Sequence, residues 1–564
     1  MFKRLTGIFF IGLLAATALN LASTEDLRVA IAARNGDKAA VRALLKQAVD
    51  VNGSQGDGMT ALHWAAMNGD LEITEMLLYA GANIRSMTRL SGYTPLFMAA
   101  KSGSSTVVDA LLKVGADPKI KSSEGMTPLM IAAMAGDRAS VKLLLDRGSE
   151  ANARESEHGQ TAMTFAAAFD RAEVVEELAA RGADLNVATT IKEPVQLPGR
   201  EFTPPPPQPA PPAQPGAPQP AQAAQPIPMG RPPNDLRGGG NPHGGLTPLM
   251  YGARDGSLNA VRALVAKGAN LNALSADKST ALLLASINGR FDVAKYLVES
   301  GADVNLASVD GAAPLYGVIH VQWSRESFHP QPSTKLERTS YLELIRLMLE
   351  KGADPNARLT KALWYSSYGY VYAAASPIGT TPFWKCSEVA DIDGMKLLLS
   401  RGADPKLTNK DGVDALLIAS GAGTHGNDDV MSAHGRLAAV RFLVEEMGFD
   451  VNAADNGNSF RGDPQQQQQQ AQPPQPQQPP QQPNPFGGMA AGGYTALHNA
   501  ASRGDNEMIL YLVGKGARVE ATTKTGVTVV DMANGPRQRV QPYADTIALL
   551  EILGARNSHK CVSC

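Results

Sequence analysis

The sequence predicts an all-α solenoid of stacked two-helix units rather than a chain folded around one globular core. Three observations carry this. Gly58-Met59-Thr60-Ala61-Leu62-His63 returns as Gly92-Tyr93-Thr94-Pro95-Leu96, as Gly125-Met126-Thr127-Pro128-Leu129 and as Gly159-Gln160-Thr161-Ala162-Met163, so the leading glycines stand 33 or 34 residues apart. Each unit closes on Gly-Ala-Asn, Gly-Ala-Asp or a near variant. Between these marks, apolar residues recur at helical spacing. A fixed period of this length signifies stacked repeats, each burying its apolar face against its neighbours.

Every part of the unit has a physical reason. The threonine hydroxyl can cap the first helix, and proline follows where its missing N–H costs nothing. Small pairs such as Ala99-Ala100 let the two helices of a unit pack closely. Gly103 or Gly136 ends the first helix by taking the left-handed conformation cheaply. Leu111-Leu112 and Leu143-Leu144-Leu145 lie on the second helix and bury against neighbouring units. Gly115-Ala116-Asp117 then stops that helix and opens the hairpin to the next repeat. The whole pattern, Gly-x-Thr-Pro-Leu-His-x-Ala-Ala, then Gly, a Leu-Leu pair and Gly-Ala-Asp-x-Asn, resembles the ankyrin repeat. That resemblance implies helix-turn-helix units with short hairpins, and a partner protein contacted by the hairpin tips and first-helix surface.

Along the chain, residues 1–23 read as an export signal. Lys3 and Arg4 precede an uncharged run from Leu5 to Ser23, and Ala16-Thr17-Ala18 offers the small residues that a signal peptidase reads. About 18 apolar residues can also just span a bilayer, so a retained anchor is the other reading. Residues 24–57 form a degenerate capping unit, and repeats fill 58–186. A Pro-rich stretch, 187–244, contains Pro204-Pro205-Pro206-Pro207 and is expected to be a disordered linker. Repeats resume over 245–454, with insertions at 320–340, 357–378 and 421–435. A second disordered linker, Gln/Pro-rich, is expected at 455–492. Repeats then close the array over 493–556, and residues 557–564 form a tail. This gives a cap plus eleven units.

Formal net charge is −2 and charged residues make up 19%. This balance shows no electrostatic footprint for nucleic acid and no basic face for an anionic membrane. Three cysteines in an exported chain make no disulfide framework. Cys386 replaces the alanine of other repeats and reads as a small core residue.

Candidate contact residues fall in two groups. Trp323, Trp364, Tyr365, Tyr368, Tyr370, Tyr372 and Trp384 belong to an aromatic cluster around the long insertions, and tyrosine and tryptophan make good interface anchors. The same rings could instead fill a local core under the insertions. Met59, Tyr93, Phe97, Met126 and Met130 repeat along the expected concave face. His63 and His498 match the family's consensus histidine and are read as structural. His425, Asp428, Asp429 and His434 share one loop but lack recognised metal-ligand spacing, so a solvated loop is expected and no metal or other cofactor. The last residues, Cys561-Val562-Ser563-Cys564, resemble the start of a c-type haem attachment signal without its histidine.

The resulting expectation is an exported, periplasmic or secreted, monomeric scaffold that binds another protein and is not an enzyme. The competing class is a redox protein, an ankyrin array fused to or truncated from a c-type cytochrome unit. A third, a hydrolase acting through the 421–435 loop, needs His425 and His434. Soret absorbance of the full genomic reading frame, expressed in a periplasm, separates the first two. The scaffold reading expects none, and a haem band would replace it.

Overall fold

A computed structural model describes residues 26–193, 242–323, 334–361, 363, 376–422, 435–457, 492–535 and 541–558. Among these residues the regular structure is helical without a strand, and isolated bridges such as Ser54 with Thr60 mark the hairpins. Two compact units are present, residues 1–190 with 244–273, and residues 191–243 with 274–564. The first pairs α1 (Arg28–Arg34) with α2 (Lys38–Lys46), α3 (Ala61–Met67) with α4 (Leu71–Tyr79), and α5 (Pro95–Ser102) with α6 (Ser105–Lys113). It continues with α7 (Pro128–Ala135) and α8 (Arg138–Asp146), α9 (Ala162–Ala168) and α10 (Ala172–Ala180), and α11 (Pro248–Asp255) and α12 (Leu258–Ala266).

The second unit pairs α13 (Ala281–Ile287) with α14 (Phe291–Glu299), α15 (Pro314–Gln322) with α16 (Tyr341–Glu350), and α17 (Pro382–Glu388) with α18 (Ile392–Leu399). Then come α19 (Ala415–Ala419) with α20 (Gly435–Arg441), α21 (Ala496–Ala501) with α22 (Asn506–Gly514), and α23 (Val529–Asn534) with α24 (Ala544–Ile552). Within each unit, first helices stack on first helices.

Threonine starts the first helices as the sequence implies. Its hydroxyl accepts from the third helical N–H, for example Met130 N to Thr127 at 3.3 Å and Trp384 N to Thr381 at 3.2 Å. Second helices carry their own cap, an aspartate at Asp37, Asp70, Asp391 and Asp505, each accepting a backbone N–H in the first turn. The paired alanines Ala65-Ala66, Ala99-Ala100 and Ala132-Ala133 are fully buried, which leaves the first helices close enough to stack.

Successive hairpins are joined by backbone hydrogen bonds. Within each unit, the carbonyl just before a leading residue accepts an N–H from the next hairpin. In the first unit these are Arg89 N to Asp57 O (2.8 Å), Ser123 N to Ser91 O (3.1 Å), Ser156 N to Glu124 O (2.9 Å) and Thr190 N to His158 O (2.7 Å). In the second they include Val309 N to Asp277 O (2.9 Å), Thr360 N to Asp310 O (2.8 Å) and Lys524 N to Gly492 O (3.0 Å). The leading residue itself is left-handed, as at Gly58 (φ 85°) and Gly311 (φ 79°), and Lys278 holds the same conformation at φ 62° without glycine's freedom.

The interruptions leave the stacks intact. Thr189 N donates to Leu246 O at 3.0 Å, and α9 packs on α11, so the first unit runs through the Pro-rich stretch. Lys192 and His243 exchange backbone hydrogen bonds at 2.8 and 3.1 Å. The described residues at 187–193 and 242–244 thus belong to a closed hairpin, which narrows the linker expected at 187–244. Asp455 N donates to Tyr494 O (3.2 Å) and Gly493 N to Asp455 O (3.0 Å), which closes the hairpin of the second stretch too. Gly379 N to Leu359 O (2.8 Å) closes the hairpin that carries the 357–378 insertion, and Leu363 is buried beside Tyr316. At 320–340, α15 continues through Gln322, and Thr339 anchors on Asp292 by its N (2.9 Å) and Oγ1 (2.7 Å). The expected disorder of the two linkers falls on residues outside those described.

The leading position gives a direct test. A Cβ on Gly311 would lie 2.6 Å from Arg358 O and 2.8 Å from Thr360 N. Gly311→Ala is expected to destabilise the second unit by about 2 kcal/mol or more, whereas Lys278→Gly should stabilise it by up to about 1 kcal/mol. Urea unfolding midpoints read both, and equal midpoints for the two variants would contradict the assignment.

Candidate partner-binding site

In the first unit, the consensus histidine is an inter-repeat strut. Thr60 N donates to His63 Nδ1 at 3.2 Å, so the ring's proton is on Nε2, which donates to Tyr93 O of the next repeat at 3.0 Å. Burial, partly opposed by that bond, lowers the His63 pKa, and the ring stays neutral. Phe97 takes the same place one repeat on and stacks on Tyr93 with centroids 4.8 Å apart. Met59, Phe97, Met126 and Met130 are all buried, Phe97 to 1% exposure, while Tyr93 is half-buried. Their burial removes the first four from any contact surface and corrects the concave-face expectation at those positions.

One step along each first helix lies a different row: Trp64, Met98, Ile131, Phe165 and Tyr251. A helix turns about 100° per residue, so a one-residue shift exchanges the stacking face for the face toward the hairpins. Trp64 Nε1 donates to Gln55 Oε1 at 3.2 Å, and Gln160 Nε2 donates to Tyr251 OH at 2.9 Å. Arg34 stands 5.0 Å from the Trp64 ring centre, and Arg254 stands 4.6 Å from that of Tyr251. Trp64 and Phe165 are half-buried, with Met67 (40%) and Phe169 (48%) exposed beside them, whereas Met98, Ile131 and Tyr251 are buried. These residues depart from the repeat pattern, and that departure was the available sequence signal.

In the second unit, the described aromatics form a local core. Trp384 is 3% exposed, and its Nε1 donates to Val413 O at 2.9 Å, which reproduces the strut made by His63. Tyr316, at the equivalent position, pairs its hydroxyl with Thr380 Oγ1 at 3.2 Å. Trp323 is half-buried. Its Nε1 donates to Asp391 Oδ2 at 3.3 Å, and the Tyr341 hydroxyl donates to Oδ1 at 3.1 Å. Of the two readings of the cluster, the structure gives packing for Tyr316, Trp323, Tyr341, Phe383 and Trp384. Trp364, Tyr365, Tyr368, Tyr370 and Tyr372 lie outside the described residues, as do His425, Asp428, Asp429, His434, Cys561 and Cys564.

The titratable groups inside this region are set by burial and by their immediate partners. Burial, reinforced by Asp391, pushes the Cys386 thiol well up, which keeps it protonated. Burial also raises Asp391, although Gly394 N, Tyr341 and Trp323 bond its charged form. Burial and then the nearby Lys385 charge push His320 down to about 3. Burial is the strongest influence on Lys385 and lowers it, but the charge and hydrogen bond of Glu388, together with Tyr316 and Cys386, leave the lysine pKa raised. His498 is fully buried, with its Nδ1 beside the Thr495 hydroxyl. Among the described residues no group of three His, Cys, Asp or Glu could hold a metal ion, and no helix is long and apolar enough to cross a membrane.

Helix pairs, left-handed leading residues and inter-repeat struts recur where family models also match. The model for ankyrin repeats in three copies matches residues 29–122, 96–189 and 233–308, and the single-repeat model matches 492–524. This chain is an ankyrin-repeat protein. It is 36% identical over 94 residues to the palmitoyltransferase Hip14 of Drosophila melanogaster, covering 17% of this chain and 15% of that protein. It is 34% identical over 98 residues to human ankyrin repeat and SOCS box protein 3, covering 17% and 19%. The chain thus spans less than a fifth of these relatives, and the palmitoyltransferases match only at their ankyrin region. The crystal structure of the human ASB11 ankyrin repeat domain aligns with 49% of this chain and 98% of that one, at 23% identity and a TM-score of 0.36.

The buried imidazole sets a pH dependence. His320 has a folded pKa near 3 against an ordinary 6.5, so the unfolded chain binds the proton first, and stability falls as pH drops from 6.5 toward 3. The slope reaches at most about 1.4 kcal/mol per pH unit. Asp391, being raised, acts in the opposite sense, its contribution being present at low pH and lost as pH rises. Comparison with His320→Gln isolates the histidine. Wild type should lose stability faster than the variant between pH 7 and 5, and parallel curves would refute the assignment.

Proposed function

We propose that this ankyrin-repeat protein is an exported, monomeric and non-enzymatic scaffold that holds another protein. It would do so through the hairpin-side face of its first unit and the aromatic insertion of its second. The observation that carries this reading is the set of large apolar side chains left accessible on that face: Trp64, Met67, Tyr93, Phe165 and Phe169. Apart from Tyr93, which stacks on Phe97, a repeat needs none of them for stacking, because the stacking face is already filled by His63, Phe97 and Met130. Accessible aromatic side chains are the chemistry of a protein contact.

Two further features support the proposal. Trp364-Tyr365-Ser366-Ser367-Tyr368-Gly369-Tyr370-Val371-Tyr372 falls in sequence between Leu359 and Gly379, which are joined by a backbone hydrogen bond of their own, so the repeats are connected without it. Lys3 and Arg4 before the apolar run ending at Ser23 support export. A net charge of −2 favours a protein partner over nucleic acid.

The test is capture from the native envelope fraction, with the bound protein identified by mass spectrometry. Trp64→Ala with Phe169→Ala, and separately excision of residues 364–375 with a short Gly-Ser splice, should each weaken capture at least tenfold, a loss of about 1.4 kcal/mol. Helical circular dichroism should stay unchanged in both. Undiminished capture by both folded variants would reject this surface as the contact.

A further inference from the structure

The two inter-helix insertions of the second unit are rooted on one turn. Helix α17 ends at Glu388 and α18 begins at Ile392. Between them Ala390 sits at φ 57°, in the left-handed region, where the corresponding turns of other repeats place Gly69, Gly103 and Gly136. Alanine is strained there, and such a conformation persists only when its surroundings over-determine it.

The surroundings come from both neighbouring repeats. Trp323 and Tyr341, which flank the insertion after α15, both donate to the Asp391 carboxylate, at 3.3 and 3.1 Å. Their rings meet edge to face with centroids 5.7 Å apart, and Asp391 is 1% exposed. From the other side comes Arg436, the second residue of α20, at the end of the 421–435 insertion. It is 6% exposed, and its Nη1 donates to Glu388 O (3.4 Å), Ile418 O (3.4 Å) and Ala419 O (3.2 Å). One guanidinium thus ties together the C-terminal ends of α17 and α19, where a helix dipole favours a cation.

We propose that the Glu388–Asp391 turn is a conformational relay that couples the roots of the two insertions, through Trp323 and Tyr341 on one side and Arg436 on the other. Each clamp holds the same strained backbone, so releasing one leaves the other to hold the strain alone. Closely packed interiors answer such a release by a shift of the whole contact rather than by local softening. A partner engaging one insertion therefore biases the other, a consequence that rests on the interaction reading above, whereas the coupling itself does not.

Hydrogen exchange read by mass spectrometry on the full chain tests the coupling without any partner. Arg436→Met should speed exchange not only in residues 435–446 but also in 317–323 and 341–349, by about fivefold or more, with residues 496–514 unchanged. Tyr341→Phe should do the reverse, speeding 435–446. In an Ala390→Gly background, where the strain is gone, the cross-effects should shrink. Faster exchange confined to the substituted side, or no change at all, overturns the relay. Should Arg436→Met unfold the unit, Arg436→Lys and Tyr341→Phe decide the matter by the same comparison.

Discussion

The hydrogen bond from one hairpin's N–H to the carbonyl before the previous repeat's leading residue sets the geometry of each unit. It places consecutive repeats at a fixed spacing and forces the leading residue beneath the next hairpin's backbone, as Gly58 sits under Met87 and Arg89. Left-handed backbone at that position then aims the threonine N-cap at the start of the first helix. From there the helix direction, the buried alanine pair and the strut to the next repeat all follow. The interaction is local and repeats along each stack, so stability is a sum of neighbour contacts rather than the property of one core.

That constraint also explains where extra chain can be tolerated. The Pro-rich and Gln-rich stretches and the segment around Trp364 all leave from hairpins whose roots remain hydrogen-bonded at Lys192–His243, Asp455–Tyr494 and Leu359–Gly379. Two other insertions leave from the turn between helices. Neither place breaks the ladder or the helix stacking. Lengthening a closed loop costs only about 0.6 kcal/mol per doubling, so the scaffold absorbs long insertions there at little loss.

Much of this was legible in the sequence because it depends on residue types with one physical role. Glycine before threonine, proline at the first helical position and paired alanines each specify a local geometry, and the structure has them in those roles. The residues expected along the concave face are buried at Met59, Phe97, Met126 and Met130, because recurrence marks stacking, and stacking buries. Met59, Phe97 and Met130 recur for the core's sake, whereas Trp64 and Phe169 obey no repeat rule and are the ones left accessible. The aspartate caps of the second helices, Asp37, Asp70 and Asp505, lie outside the consensus run, so the repeat pattern does not mark them. The equivalence of His63, Tyr316 and Trp384 could not be read from composition, because three different side chains make the same inter-repeat bridge.

The interrupted repeats show what happens when the consensus is given up at several positions together. Where a regular repeat has glycine between its helices, the repeat at Gly379 has Ala390, and where a regular repeat has alanine it has Cys386. Each change alone is unfavourable or neutral for the scaffold. Together with the buried carboxylate of Asp391 and the buried guanidinium of Arg436, they convert a turn that glycine would leave indifferent into one held from both sides. Burying these charges costs desolvation, which their hydrogen bonds to Trp323, Tyr341 and the carbonyls of Glu388, Ile418 and Ala419 offset, and those bonds hold one arrangement of the turn. The departures from the repeat therefore concentrate specificity in the part of the second unit where the insertions emerge, and leave the regular repeats to supply the stability.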